Sequence, residues 1–149
     1  MNRIWIVLLL CAAIPFARAT PIGAAGPEME RPKYCQICGM DRSMFASSRM
    51  LLVYADNATF GTCSLQCMTT EMKRNRGKKI KSMWVADYGT KKLVDAKTAA
   101  WVIGGKKPGV MSQVAKWAFA RKKDAGQFVR EYGGRPARFG EALKAAESD

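Results

Sequence analysis

The chain has 149 residues, 25 Lys and Arg against 12 Asp and Glu, a formal charge of +13, and no histidine. That length suits one ordinary domain or two very small ones. Without imidazole, the Ser-His-Asp and Cys-His nucleophile systems, blue-copper centres and catalytic zinc sites in their usual forms are excluded.

Met1-Asn2-Arg3 opens the chain with a positive charge, and Ile4 to Ile14 is an uncharged apolar run. Ala17-Arg18-Ala19 follows as an A-x-A cleavage site, so residues 1–19 read as a secretory signal peptide. The run falls short of the roughly 20 residues a spanning helix needs. Cys11 is preceded by Leu10 rather than a small residue, which disfavours a lipoprotein anchor there. Cleavage after Ala19 removes Arg3, Arg18 and Cys11, taking the charge from +13 to +11 and the cysteines from five to four. Residues 20–32, rich in Pro, Gly and Ala, read as a flexible tether. The exported product is expected in the periplasm, where nucleic acid is an unsuitable partner. The spread of Lys and Arg is a solvated cationic surface, or one that attracts an acidic partner or an anionic membrane surface.

Arg49 to Ala55 is apolar and β-forming, Asp56-Asn57 supplies a turn, and Thr59-Phe60-Gly61 begins a second strand. Cys63 to Arg76 is predicted as a helix with Thr62 or Ser64 as cap and Gly77 as a left-handed stop. Met83–Ala86 predicts a third strand, and Leu93–Ala96 and Ala100–Ile103 two shorter ones. Val110-Met111 falls in an extended piece, and Trp117–Ala120 is a strand or a helix start. Lys123 to Tyr132 predicts a helix with Phe128 and Tyr132 on one face and Gly133-Gly134 as its stop. Gly140 to Glu147 predicts a last short helix. This order of elements gives an α+β class with two small ββα-type halves.

The four remaining cysteines come as Cys35-x-x-Cys38, just before Gly39-Met40, and Cys63-x-x-x-Cys67, just before Met68. On a helix the i and i+4 sulfurs share one face, and Cys63 sits at its positive end, which favours thiolate. Three readings stay open: two structural disulfides, a closed four-cysteine zinc site, or a copper(I) site, since thiolate and thioether select that soft ion. A thiol–disulfide oxidoreductase using Cys35 and Cys38 is the enzymatic alternative, although nothing matches the strand-to-helix placement of a thioredoxin-like motif. Met50, Met72 and Met83 fall in strand or helix patterns and read as core.

Cys35-x-x-Cys38-Gly39-Met40 resembles the C-x-x-C-G-M signature of the NosL-type copper chaperones, accessory proteins of nitrous oxide reductase. The resemblance runs on through Phe60-Gly61-Thr62, Cys67-Met68, Val85–Tyr88, Val94–Ala96, the Met111 region, Ala118-Phe119, Asp124-Ala125 and Gly133-Gly134, covering residues 33–147. It implies a periplasmic, non-enzymatic protein that binds Cu(I) and delivers it to a copper enzyme, so serving denitrification, with a membrane copper transporter or assembly complex as further partner. It also implies two ββα subdomains akin to the metal-binding module of organomercurial lyase, placed here at 33–88 and 89–147. By motif position it carries over Cys38, Met40 and Met111 as ligands, with Cys67 matching the family's C-M pair. Cys35 and Cys63 complete the candidate set. Cys63 and Ser112 depart from the family pattern.

Overall fold

The structure is a computed structural model describing residues 32–149. The signal segment, Cys11 and residues 20–31 of the tether lie outside the described residues. Among those described, no helix is long and apolar enough to cross a membrane.

Strand β1 (Met50–Tyr54) is almost wholly buried because both of its faces are covered. It lies between β2 (Thr59–Thr62) and β3 (Ile80–Ala86), antiparallel to both, and β4 (Leu93–Asp95) closes the sheet on the far side of β3. Side chains alternate across the pleat. Met50, Leu52, Tyr54, Met83 and Val85 therefore enter the main core, while Leu51, Ala86 and Leu93 pack with Trp84 on the other face. A second, three-stranded sheet has the order β6 (Lys116–Phe119), β5 (Ala100–Ile103), β7 (Arg135–Ala137). The two sheets repeat one plan. A central strand is flanked by its hairpin partner and by the strand that returns after a helix: α1 (Leu65–Arg74) in the first unit, α2 (Lys122–Tyr132) in the second. This is the α+β arrangement of two ββα units. The first sheet reaches past the expected division at residue 88, because β4 pairs with β3 and belongs to it.

Three expected elements differ. Helix α1 starts at Leu65, because the Ser64 side chain accepts from the Cys67 N–H as an N-cap, leaving Cys63 outside the helix. It ends at Arg74 with Asn75 as cap, and Gly77 does not adopt a left-handed φ. Met111 is not extended but left-handed, with φ 55°. Strand β7 escaped the sequence pattern because Pro136 cannot donate to a ladder and interrupts the run; it is tolerated at a sheet edge. The short apolar run at 117 resolves as β6.

Helix α3 (Phe139–Glu147) packs on α1 and on β5 and so joins the units. One core contains Met50, Met68 and Val85 from the first unit together with Trp101, Ala118 and Ala142 from the second. Each large apolar side chain buried there contributes about 2 kcal/mol. The first sheet also meets the second through Asp87. Its carboxylate accepts the Ala120 N–H at 2.8 Å and the Thr90 N–H and hydroxyl, each at 2.7 Å, while Tyr88 N–H donates to Ala118 C=O at 2.8 Å. Burial would raise the Asp87 carboxyl, but these hydrogen bonds outweigh it and hold the pKa below the ordinary value.

Asp87→Ala orphans the Ala120 N–H and is expected to cost about 2 kcal/mol in denaturant unfolding. A group with a depressed folded pKa adds stability that is complete above its ordinary pKa and is lost as pH falls through the depressed one. Stability of the wild type should therefore fall on acidification through the carboxylate range more steeply than that of Asp87→Asn. Equal slopes would remove Asp87 from this role.

Candidate metal centre

The first half of the site is a backbone knuckle. Cys35 N–H donates to Met40 C=O at 2.8 Å and Gly39 N–H to Cys35 C=O at 2.9 Å, closing a turn that directs the two cysteine side chains to one side. Gly39 sits at φ 77°, where a side chain would be strained. The knuckle is fixed to β2 by a reciprocal pair: Gln36 N–H donates to Gly61 C=O at 3.1 Å, and Gly61 N–H donates to the Gln36 side chain at 2.8 Å. The second half is the β2–α1 junction, where Ser48 Oγ donates to Cys63 C=O at 2.7 Å and the Ser64 cap sets the first turn of α1.

These two turns bring four sulfurs together. Cys38 and Cys63 Sγ are 3.6 Å apart, Cys63 and Cys67 Sγ 3.7 Å, and all four sulfurs lie within 4.8 Å of one another. None of the four is in a disulfide. Cys35, Cys63 and Cys67 are buried, and Cys38 is half-buried. Sulfurs at about 2.3 Å from a central ion, tetrahedrally placed, are separated by about 3.8 Å; the Cys38–Cys63 and Cys63–Cys67 edges are of that size, and no edge exceeds 4.8 Å. The cluster has the donor set and the size to hold a metal ion.

The sequence-predicted residues divide clearly. Met40 packs against the cysteine cluster and is partly buried. Met111 is 49% exposed, but its neighbour Val110 packs against the same cluster, so the segment after β5 borders the site. Met68 is fully buried in the main core instead, since adjacent helical positions point about 100° apart. Met50 and Met83 are core residues, and Met72 packs on the core's edge. The Cys35–Cys38 pair lies on a turn and not at the start of a helix. Residues that sequence reasoning missed are Phe45, Val110 and Arg42. The first two are ordinary apolar residues on loops against the cluster. The third is a buried arginine with no spacing to mark it.

The thiols differ in acidity. Burial raises Cys35, but the Cys38, Ile37 and Cys63 N–H groups and the Cys38 thiol overcome it and lower its pKa to about 7. Burial, together with the neighbouring Cys35 and Cys63, pushes Cys38 up to about 11. Cys63 was expected to favour thiolate at a helix start. It lies instead outside the helix, where hydrogen bonding to Cys67 and burial raise its pKa. Among these three thiols, Cys35 is the acidic one. Thiolate absorbance of the reduced, metal-free protein should show one step near pH 7 that is missing in Cys35→Ser. A first step no lower than about 8.5, the ordinary cysteine value, would contradict this assignment.

Comparison with known proteins adds the lineage. The family model of NosL matches residues 27–146. Among solved structures, the chain is similar to the copper chaperone NosL from Shewanella denitrificans, with 23% identity and a TM-score of 0.58, over 72% of this chain and 87% of that one. At that identity the likeness establishes the shared fold. No match was found among curated proteins. The NosL match spans the knuckle, both sheets, all three helices and nearly all of the described chain, and the chain belongs to the NosL family.

Proposed function

We propose that this chain is an exported copper(I) carrier that binds one ion in the cysteine cluster and hands it to a copper enzyme of the periplasm. The observation that carries the reading is the donor set: four sulfurs within 4.8 Å, with no histidine anywhere in the sequence. Thiolate donors take soft ions such as Cu(I) and also Zn(II), and a thioether beside them suits Cu(I) but is not among the usual zinc ligands, whereas carboxylate suits harder ions. Membership in the NosL family and the fold shared with a copper chaperone support the same reading. By resemblance the client is nitrous oxide reductase, and the signal-like residues 1–19 support export. The role is binding and transfer rather than catalysis.

Transfer needs a ligand exchange in which the client's donor enters before the carrier's leaves. Cys35, Cys63 and Cys67 form the buried base of the site, while Cys38 and Met40 lie at its half-buried rim with Met111 exposed nearby. The rim is where an incoming thiolate or thioether gains access. Cys38 and Met40, with Met111 as a third donor, are the ligands proposed to exchange, and the base cysteines hold the ion meanwhile.

The spacing of the sulfurs also suits a closed four-cysteine zinc site, which is the second reading. Anaerobic titration of the reduced mature protein with Cu(I), against a chromophoric competitor and then against Zn(II), separates the two. One Cu(I) per chain, not displaced by equimolar Zn(II), is expected. Cys38→Ala and Met40→Leu should each weaken Cu(I) by about tenfold or more, ~1.4 kcal/mol each, while Met68→Leu leaves affinity unchanged. Zinc retained against Cu(I), or wild-type affinity in Cys38→Ala, would defeat the carrier reading.

A further inference from the structure

Directly after the knuckle, Arg42 turns into the protein interior and is 2% exposed. Its guanidinium donates to three backbone carbonyls, those of Pro32, Thr62 and Met50. Three of its five N–H bonds are thereby used. No carboxylate pairs with it among the described residues, which is unusual for a buried charge. Arg49 is similar. Its guanidinium donates to Ala46 C=O at 2.7 Å and Lys91 C=O at 2.9 Å, again with no carboxylate among the described residues. Two guanidinium groups without carboxylate partners among the described residues thus lie against one cavity.

They share a cavity of about 520 Å³, lined also by Lys33 and Lys91. The one acid in its wall, Asp41, bonds within the wall and to neither arginine: one oxygen accepts the Ser43 N–H at 2.8 Å and the Ser43 hydroxyl at 2.7 Å, and the other is 3.9 Å from Lys33. The wall therefore carries four positive charges against one negative. A pair of like charges, backed by carbonyls and open to a cavity, is stabilised by an anion that accepts from both forks. Gly61 makes the placement feasible, since a Cβ there would lie 2.8 Å from the Arg42 guanidinium carbon.

We propose that this cavity is an oxyanion site, binding a carboxylate or phosphate group between Arg42 and Arg49. It neighbours the metal cluster, because Arg42 follows Met40-Asp41 and bonds to the carbonyl of Thr62, the residue before Cys63. An acidic group docked here would hold a partner beside the rim of the sulfur cluster. The site itself exists without metal and is tested on the metal-free protein, so it stands or falls separately from the copper reading.

The test is an NMR titration of the reduced, metal-free mature protein, at ionic strength held constant with sodium chloride. One arm uses inorganic phosphate and the other a short glutamate-containing peptide. Saturable shifts centred on Arg42, Ser43, Arg49 and Lys91 are expected, with affinity reduced at least tenfold in Arg49→Gln. Lys33→Gln, at a side chain 65% exposed and remote from the core, should weaken binding several-fold even if Arg49→Gln folds poorly. Tighter phosphate identifies a phosphate group as the ligand, and tighter peptide a partner's carboxylate; either supports the site. Shifts that do not saturate, that spread over the basic surface, or that persist unchanged in Lys33→Gln would overturn it. Saturation seen only after Glu28→Gln and Glu30→Gln would overturn it too, because the chain's own acids would then be the occupant.

Discussion

The arrangement rests on the reciprocal hydrogen-bond pair between Gln36 and Gly61. The knuckle at residues 35–40 is short and belongs to no strand or helix, so its position against the distant turn depends on bonds to its neighbours. Locking it to β2 through two directed bonds fixes it relative to Cys63, which follows two residues after Gly61 on the same strand. The Ser64 cap then fixes Cys67 relative to Cys63. Ser48 Oγ on the Cys63 carbonyl and Arg42 on the carbonyls of Thr62 and Met50 brace the same two turns. They converge on β2 and its end, and β2 is held by β1, the most buried strand of the first sheet.

The rigidity of that strand comes from the whole domain. The main core draws side chains from both sheets, and α3 packs on α1 as well as β5. Helix α1 presents Met68 to this core and Cys67 to the sulfur cluster from consecutive positions. Core packing on one side of the helix therefore sets where the cysteine points on the other. Second-unit residues also reach the site, since Val110 packs against both the cysteines and the aromatic cluster of Trp117, Phe119 and Phe128. The repeated strand plan builds a support of two sheets, and the metal centre sits on only one of them.

Much of this was legible in the sequence, and the limits have physical causes. α1 and α2 were readable from their helical pattern and caps, and β1, β3 and β5 as short apolar, β-forming runs, β1 and β5 being buried at nearly every position. The cysteine pairs announced themselves through spacing, yet their convergence did not, because it depends on the chain returning Cys63, 25 positions after Cys38, to within 3.6 Å of it. The start of α1 was misjudged by two residues, since either Thr62 or Ser64 can cap and only tertiary placement chooses. That shift removes the helix-terminus argument for Cys63 and passes the acidic thiol to Cys35, whose sulfur is surrounded by knuckle N–H groups. Met68 and Met40 each follow a cysteine directly, but one continues a helix into the core and the other ends a turn beside the cluster. Arg42 left no trace in the pattern, because a single arginine in a loop is ordinarily solvated.

The distribution of burial across the four cysteines bears on how such a centre can work. A site with every sulfur sealed would bind tightly but exchange slowly, as structural zinc sites do. A site with every sulfur exposed would exchange quickly but lose its ion or oxidise. Here three sulfurs lie at 0–3% exposure and one is half-buried next to a partly buried methionine. The half-buried thiol is also one that burial and its cysteine neighbours push up, to about 11, whereas the buried Cys35 thiol is lowered to about 7. An ion held by this cluster would therefore find its open side at Cys38 and Met40, the side from which another donor could approach.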